Sequence, residues 1–140
     1  MDGALERSIP SDVQYIEGIV AEIVAHCTAV GFPPRLIARN VPVAVTEALV
    51  NAIRYGNADD SAKVVRIRAR IDRHSLVVEV ADEGEGFDLQ LALRDPTTPE
   101  RIEAEDGRGL FLMHAFTDRV EQFRDGDAGG NVVRLTVHCA

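Results

Sequence analysis

Glu47 and Asn51 stand four residues apart in Glu47-Ala48-Leu49-Val50-Asn51, a spacing that puts both side chains on one helix face about one turn apart. A carboxylate and an amide oxygen are hard donors that suit Mg2+ and a proton-accepting role toward a hydroxyl. An ordinary solvated helix face carries the same residue types. A second cluster, Val80-Ala81-Asp82-Glu83-Gly84-Glu85-Gly86-Phe87-Asp88, falls where an alternating apolar run ends. Its alternate glycines, Gly84 and Gly86, allow positive φ and close backbone approach to a flat ligand. Asp82, at the strand's end, suits acceptance from the exocyclic amine of adenine and repels the carbonyl that guanine presents at the same place. A surface turn is the alternative. An EF-hand is not, because oxygen ligands are missing from the alternating positions and Gly84 comes too early. The third cluster is Asp106-Gly107-Arg108-Gly109-Leu110-Phe111-Leu112-Met113. Two glycines opening a helix offer unpaired N–H groups and a positive dipole end, which hold phosphate without lysine. Arg108 adds a charge-assisted contact to a terminal phosphate, whereas Leu110, Phe111 and Met113 read as core. An unusual helix start with no ligand fits the same residues.

The elements that must position these clusters follow from the periodicity of the chain. Ser11 with Gln14 forms a capping-box pattern, after which Val13, Ile16, Val20, Ile23, Cys27 and Val30 recur at helical spacing until Gly31, Pro33 and Pro34 stop it. A second helix is predicted over roughly 41–56, carrying Glu47 and Asn51 and ending at Gly56-Asn57. Val65, Ile67, Ala69 and Ile71 then alternate with Val64, Arg66, Arg68 and Arg70, a strand with one wet, basic face. Asp72-Arg73-His74-Ser75 turns the chain into Leu76–Ala81, with Leu76, Val78 and Val80 toward the core. Glu83–Asp106 reads as a long loop, 107–116 as a short helix, and 118–124 with 131–139 as a second hairpin. With Leu5–Ile9 as an edge strand, the fold class is α+β, a two-layer sandwich rather than a βαβ sheet.

Composition narrows the functions available. The chain has 140 residues, 15 basic against 23 acidic, with a formal charge of −8 and 46% hydrophobic content, which fits one globular domain over 1–140. This acidity argues against direct nucleic-acid binding, whose affinity comes from Lys and Arg on phosphates. Lys63, the sole lysine, has no P-loop context. No apolar run approaches the ~20 residues of a membrane span, and no secretory leader opens the chain. Cys27 and Cys139 lack metal-ligand spacing and read as reduced thiols of a cytoplasmic protein.

Taken in order and spacing, the three clusters resemble the N box, the DxGxGF box and the second glycine box of the GHKL (Bergerat-fold) ATPases. Within that superfamily the chain is most similar to the small bacterial anti-sigma-factor serine kinases, in the run EAxxNA, DxGxGF, a short Pro-containing lid and GxGLFLM. The resemblance covers about residues 5–138. It implies a single histidine-kinase-like ATPase domain of the Bergerat ATP-binding type: a mixed sheet covered on one face by helices, with ATP and Mg2+ held between helices and lid. It also makes Asn51 the Mg2+ ligand, Glu47 the base toward a protein serine hydroxyl and Asp82 the adenine reader. Gly84 and Gly86 pass close to the nucleotide, and Gly107 and Gly109 wrap the phosphates with Arg108 beside them. The implied partners are a sigma factor, a STAS-type anti-anti-sigma protein and a second copy of the chain. Tyr55 stands where His is common in the family, and Val132 where Thr is common. Asn131 and Val132 are therefore expected to lack a hydroxyl contact to adenine, a loss of about 1 kcal/mol. A nucleotide-responsive module that switches partners without phosphorylating them is the competing reading.

Overall fold

The structure, a computed structural model, describes residues 3–84, 105–124 and 130–139. In chain order the elements are β1 (Gly3–Pro10), α1 (Ile16–Ala29), α2 (Val41–Asn51), β2 (Val64–Ile71), β3 (Ser75–Ala81), α3 (Glu105–Ala115), β4 (Arg119–Arg124) and β5 (Asn131–His138). The strands form one five-stranded sheet in the order β1-β2-β3-β5-β4. The expected α+β two-layer class holds, with one difference. The resemblance implied a mixed sheet, whereas every neighbouring pair among the described strands is antiparallel. The reason lies in the last hairpin. β4 follows β3 through helix α3, but β5 is inserted between them, so the two strands that run the same way never touch.

Alternation along the strands sets the two faces. Val65, Ile67, Ala69 and Ile71 of β2 and Leu76, Val78 and Val80 of β3 are buried under the helices, as their period-two pattern dictates. The opposite face carries a cross-strand row in which Glu6, Arg68, Glu79, Arg134 and Glu121 are register partners in turn. Arg134 Nη2 lies 2.7 Å from Glu79 Oε2, Arg68 Nε lies 3.0 Å from Glu6 Oε1, and the Arg134 guanidinium stacks 4.7 Å from the Phe123 ring centre.

The helix that carries Glu47 and Asn51 is longer than its sequence pattern indicated. It runs unbroken over Leu36–Gly56, with α2 flanked by widened turns at Leu36–Asn40 and Ala52–Gly56. Pro42 made the start ambiguous, since it lacks an N–H and crowds the preceding turn. The wider turn just ahead of it accommodates that crowding, with Val41 N donating to Leu36 O five residues back. One stripe of this helix, Val41, Ala44, Val45, Ala48, Leu49, Ala52 and Ile53, is buried against the sheet and its neighbouring helices. By length and composition alone it would pass as a membrane span, as buried core helices also do, although Arg39, Asn40, Glu47 and Arg54 interrupt its apolar run. Half of it is buried as the core helix, and its other face carries the polar pair.

Helix α1 also departs from its predicted cap. Asp12 rather than Ser11 caps the entry, its Oδ1 accepting from Gln14 N at 3.0 Å, and a 3-10 turn over Val13–Tyr15 precedes the helix. Ser11 is buried and donates to Lys63 O at 2.8 Å, so its hydroxyl is committed elsewhere. As a result Val13 is 44% exposed, and Ile19 joins Ile16, Ile23 and Cys27 on the buried side. Burial pushes the Cys27 thiol up to about 12, with Cys139 adding to the effect. The helix ends where Gly31 adopts φ +92°, a conformation only glycine takes without strain.

Leu49 is fully buried at the centre of the core helix. Leu49→Ala is expected to lower unfolding free energy by about 2–5 kcal/mol, measured as a shift of the urea midpoint at unchanged slope.

Candidate functional site

The sheet and the core helix converge on Asp82. Its side chain, 3% exposed, sits on the helix-covered side just past β3, and its Oδ1 accepts from Gly84 N at 2.8 Å. Its own N–H donates to Asn131 O at 2.9 Å, extending the β3–β5 ladder by one bond. Three backbone segments close around it where side chains would not fit. A Cβ on Gly56 would overlap the Asp82 carboxylate, one on Gly84 would overlap Gly56 O, and one on Gly130 would overlap Asp82 O. Glycine is needed here for space between backbones rather than for conformation.

Asn57 braces the same corner, and the sequence reading missed it. Fully buried, it donates from Nδ2 to Ser11 Oγ at 2.9 Å and Val64 O at 3.0 Å, and accepts at Oδ1 from Glu83 N at 2.7 Å. It ties the entry of α1, the start of β2 and the residue after Asp82 to the end of the core helix. In sequence, an Asn after a helix-ending Gly reads as an ordinary turn residue, and nothing local shows that its three partners lie far along the chain.

Further back along the helix, Glu47 is half-buried and Asn51 is 2% exposed. Among the described residues neither Oδ1 nor Nδ2 of Asn51 has a hydrogen-bond partner, a costly arrangement unless one is supplied. Helix α3 packs against this turn through Gly109. A Cβ there would lie 2.6 Å from Glu47 Oε2 and 3.8 Å from Asn51 Nδ2. Glu47, Asn51 and Gly109 are thus in one place, joined along the core helix to Asp82 and Gly84. Helix α3 begins at Glu105 rather than Gly107, its acidic first residues being what a helix N-terminus favours, so both glycines lie inside the helix. The Arg108 side chain and Gly86, with most of the predicted lid, lie outside the described residues. Leu110 and Met113 are core as expected, but Phe111 is 52% exposed, because helical spacing sets it on the opposite side.

Val132 is the register partner of Ala81 and lies on the open face of the sheet, away from Asp82. The residue facing the site is Asn131, also 2% exposed, whose Oδ1 accepts from Gln122 Nε2 at 2.9 Å. Which of two adjacent residues faces inward depends on strand register, which the sequence leaves open.

Burial raises the Asp82 carboxyl above its ordinary 3.8, while the Gly84 N–H, the Asn131 side chain and backbone, and Arg124 pull it back. A folded state that binds this proton more tightly than the unfolded chain is favoured below 3.8 and loses that advantage as pH rises through the raised value. Asp82→Asn keeps an oxygen for Gly84 N and removes the buried charge. The variant is expected to melt a few degrees higher than wild type at pH 7, with the gap closing as the pH of the scan is lowered toward 3.8.

Residues 9–137 match the histidine kinase-like ATPase domain. An anti-sigma F factor of Clostridium perfringens is 33% identical over 95 residues, covering 67% of this chain and 68% of that protein. The serine-protein kinase RsbW of Bacillus subtilis is 31% identical over 121 residues, covering 83% of this chain and 75% of that one. Among solved structures, the RsbU and RsbW domains of a Mycobacterium tuberculosis protein superpose on 96% of this chain at a TM-score of 0.66 and 18% identity. The match spans 32% of that longer chain. The mycobacterial sensor histidine kinase MprB gives a TM-score of 0.56 at 14% identity, covering 94% and 97% of the two chains. These structural likenesses speak to the fold.

Proposed function

The chain belongs to the histidine kinase-like ATPase family, and from that premise we propose that it is an ATP-dependent anti-sigma-factor serine kinase. It binds a sigma factor and phosphorylates a serine of a STAS-type anti-anti-sigma partner. The observation that carries this reading is the pairing of Glu47 with a buried Asn51 whose amide atoms have no partner among the described residues. Relatives named as an anti-sigma factor and as a serine-protein kinase support the same class.

In this reading Asp82 accepts from the adenine amine, and the backbone at Gly84 and Gly86 passes beside the base. The segment from Gly107 to Gly109, with Arg108, faces the phosphates from the start of α3. Asn51 fits Mg2+, since its buried Oδ1 is a hard donor that no described residue satisfies, with the Glu47 carboxylate on the same face. Bound there, the ion neutralises charge on the phosphate oxygens. Glu47 takes the proton of the partner's serine hydroxyl as that oxygen bonds to the γ-phosphorus. The bond from the γ-phosphorus to the bridging oxygen breaks, and ADP carries away the electron pair. The half-buried position of Glu47 against the first turn of α3 holds it facing the phosphate end.

The open face of the sheet, with its row of alternating charges, is the proposed contact between two copies of the chain. The acidic surface suits a basic region on the partner and affects association rate more than identity. Work on a sigma factor puts the protein in the cytoplasm.

The test is phosphate transfer from ATP to a purified STAS partner, read as phosphoserine by mass spectrometry. Glu47→Gln is expected to cut transfer by about 10²–10⁴ with ATP affinity retained, and Asn51→Ala to remove the Mg2+ dependence of ATP binding. Partner binding that differs between ATP and ADP while no phosphoserine forms would instead establish a partner switch without kinase chemistry.

A further inference from the structure

We propose that Asn57 is a positioning residue of the nucleotide site, its Oδ1 holding the turn after β3 so that the Asp82 carboxylate meets the adenine amine. This role rests on the ATP-binding reading above and adds to it a residue that acts through Asp82 rather than on the nucleotide.

Three successive N–H groups fix that turn, each on a different acceptor. Asp82 N donates to Asn131 O at 2.9 Å, Glu83 N to Asn57 Oδ1 at 2.7 Å, and Gly84 N back to Asp82 Oδ1 at 2.8 Å. Asn57 supplies the middle hold, between the end of the strand ladder and the bond that aims the carboxylate. Glu83 completes a ring with it. The Glu83 Oε2 accepts from Val64 N at 2.6 Å, while Val64 O accepts from Asn57 Nδ2 at 3.0 Å. Residue 83 is thus anchored at its backbone by the end of the core helix and at its side chain by the start of β2. Freed from these holds, the backbone between Asp82 and Gly84 regains its soft dihedrals, and the Gly84 N–H no longer aims one oxygen of the carboxylate.

The Asn57 amide divides its work between fold and site. Its Nδ2, donating to Ser11 Oγ and Val64 O, ties the entry of α1 and the start of β2 to the helix end. Its Oδ1 serves the turn that carries Asp82. The backbone is strained to keep it there. From Asn57 the chain passes through Ala58 at φ +53° and Asp59 at φ +58°, two consecutive non-glycine residues in the left-handed region. Strain of this kind persists where the surroundings over-determine a conformation, and it clusters at ligand sites. Here Asn57 N still donates to Ala52 O at 2.8 Å as part of the helix end, so the side chain stays fully buried and the two residues after it turn the chain toward β2.

Calorimetric titration of the full chain in Mg2+, with ATP and with purine riboside triphosphate, which lacks the exocyclic amine, tests this. Wild type is expected to bind ATP about tenfold more tightly than the probe, the worth of a hydrogen bond to a charged acceptor, and Asn57→Ala to bring the two within about twofold by weakening ATP. That ratio is a readout that lost stability alone does not move. Asn57→Asp keeps an acceptor for Glu83 N, and Ser11→Ala removes a partner of Nδ2. Both are expected to melt lower by circular dichroism yet keep the wild-type ratio. Glu83→Ala alters an exposed side chain, and it is expected to narrow the ratio to about threefold with little change in its melt. If Asn57→Ala does not fold, Glu83→Ala decides alone. A folded Asn57→Ala or a Glu83→Ala that keeps the wild-type ratio, or an equal loss of it in Ser11→Ala, overturns the positioning role and leaves the nucleotide site standing. Failure of wild type to separate the two ligands overturns the reading of Asp82 and with it the role of Asn57. No binding of ATP by wild type overturns the nucleotide site itself.

Discussion

The carboxylate of Asp82, buried at the end of a core strand, is the constraint around which the rest of the site is arranged. An isolated charge in such a place is costly, and the protein offsets part of the cost with the Gly84 N–H and the Asn131 side chain and backbone, to which the Arg124 charge adds. Backbone can come this near only where side chains are absent. Gly56, Gly84 and Gly130 come from three separate segments, and each is placed where a single added carbon would collide. The corner is therefore a junction of a helix end, a strand end and a strand start, braced by Asn57. A carboxyl kept partly destabilised in this way is suited to a donor arriving from outside.

The core helix links that junction to the second half of the site. Its buried stripe packs on the sheet, and the same helix carries Glu47 and Asn51 about two and a half and one and a half turns before Gly56. Because the same element anchors the hydrophobic core, carries Glu47 and Asn51 and packs Gly56 against Asp82, the spacing along the helix between the proposed phosphate-facing pair and the Asp82 junction is fixed by helical rise. Helix α3 approaches from the other side through Gly109, so the contact between α2 and α3 sets how closely the first turn of α3 meets Glu47.

Most of this architecture was legible in the sequence because it rests on periodicity. The alternation of Val65 to Ile71 and the helical spacing through Leu49 and Asn51 named faces as well as elements, and the order of Glu47, Asn51, Asp82 and the glycines identified the family. What stayed hidden depends on pairing between distant segments. The register of β5 decides that Asn131 rather than Val132 faces Asp82. Asn57 is remarkable in sequence only once Ser11, Val64 and Glu83 are known to surround it. Ser11 looked like a helix cap because its local pattern fits one, yet tertiary demand on its hydroxyl leaves the cap to Asp12. The sheet was expected to be mixed, and the placement of β5 between β3 and β4 is again a matter of long-range order.

The charged row across the open face has a geometric consequence. Its signs run minus, plus, minus, plus, minus from Glu6 to Glu121, a sequence that reads the same from either edge. Two such faces stacked in perfect alignment would oppose like with like at all five positions, whichever way one copy were turned. Sliding one sheet sideways by a single strand, about 4.8 Å, converts four of those repulsions into attractions and leaves one glutamate at each edge facing outward. The alternating row acts as a vernier, selecting a staggered stack of sheets over an eclipsed one.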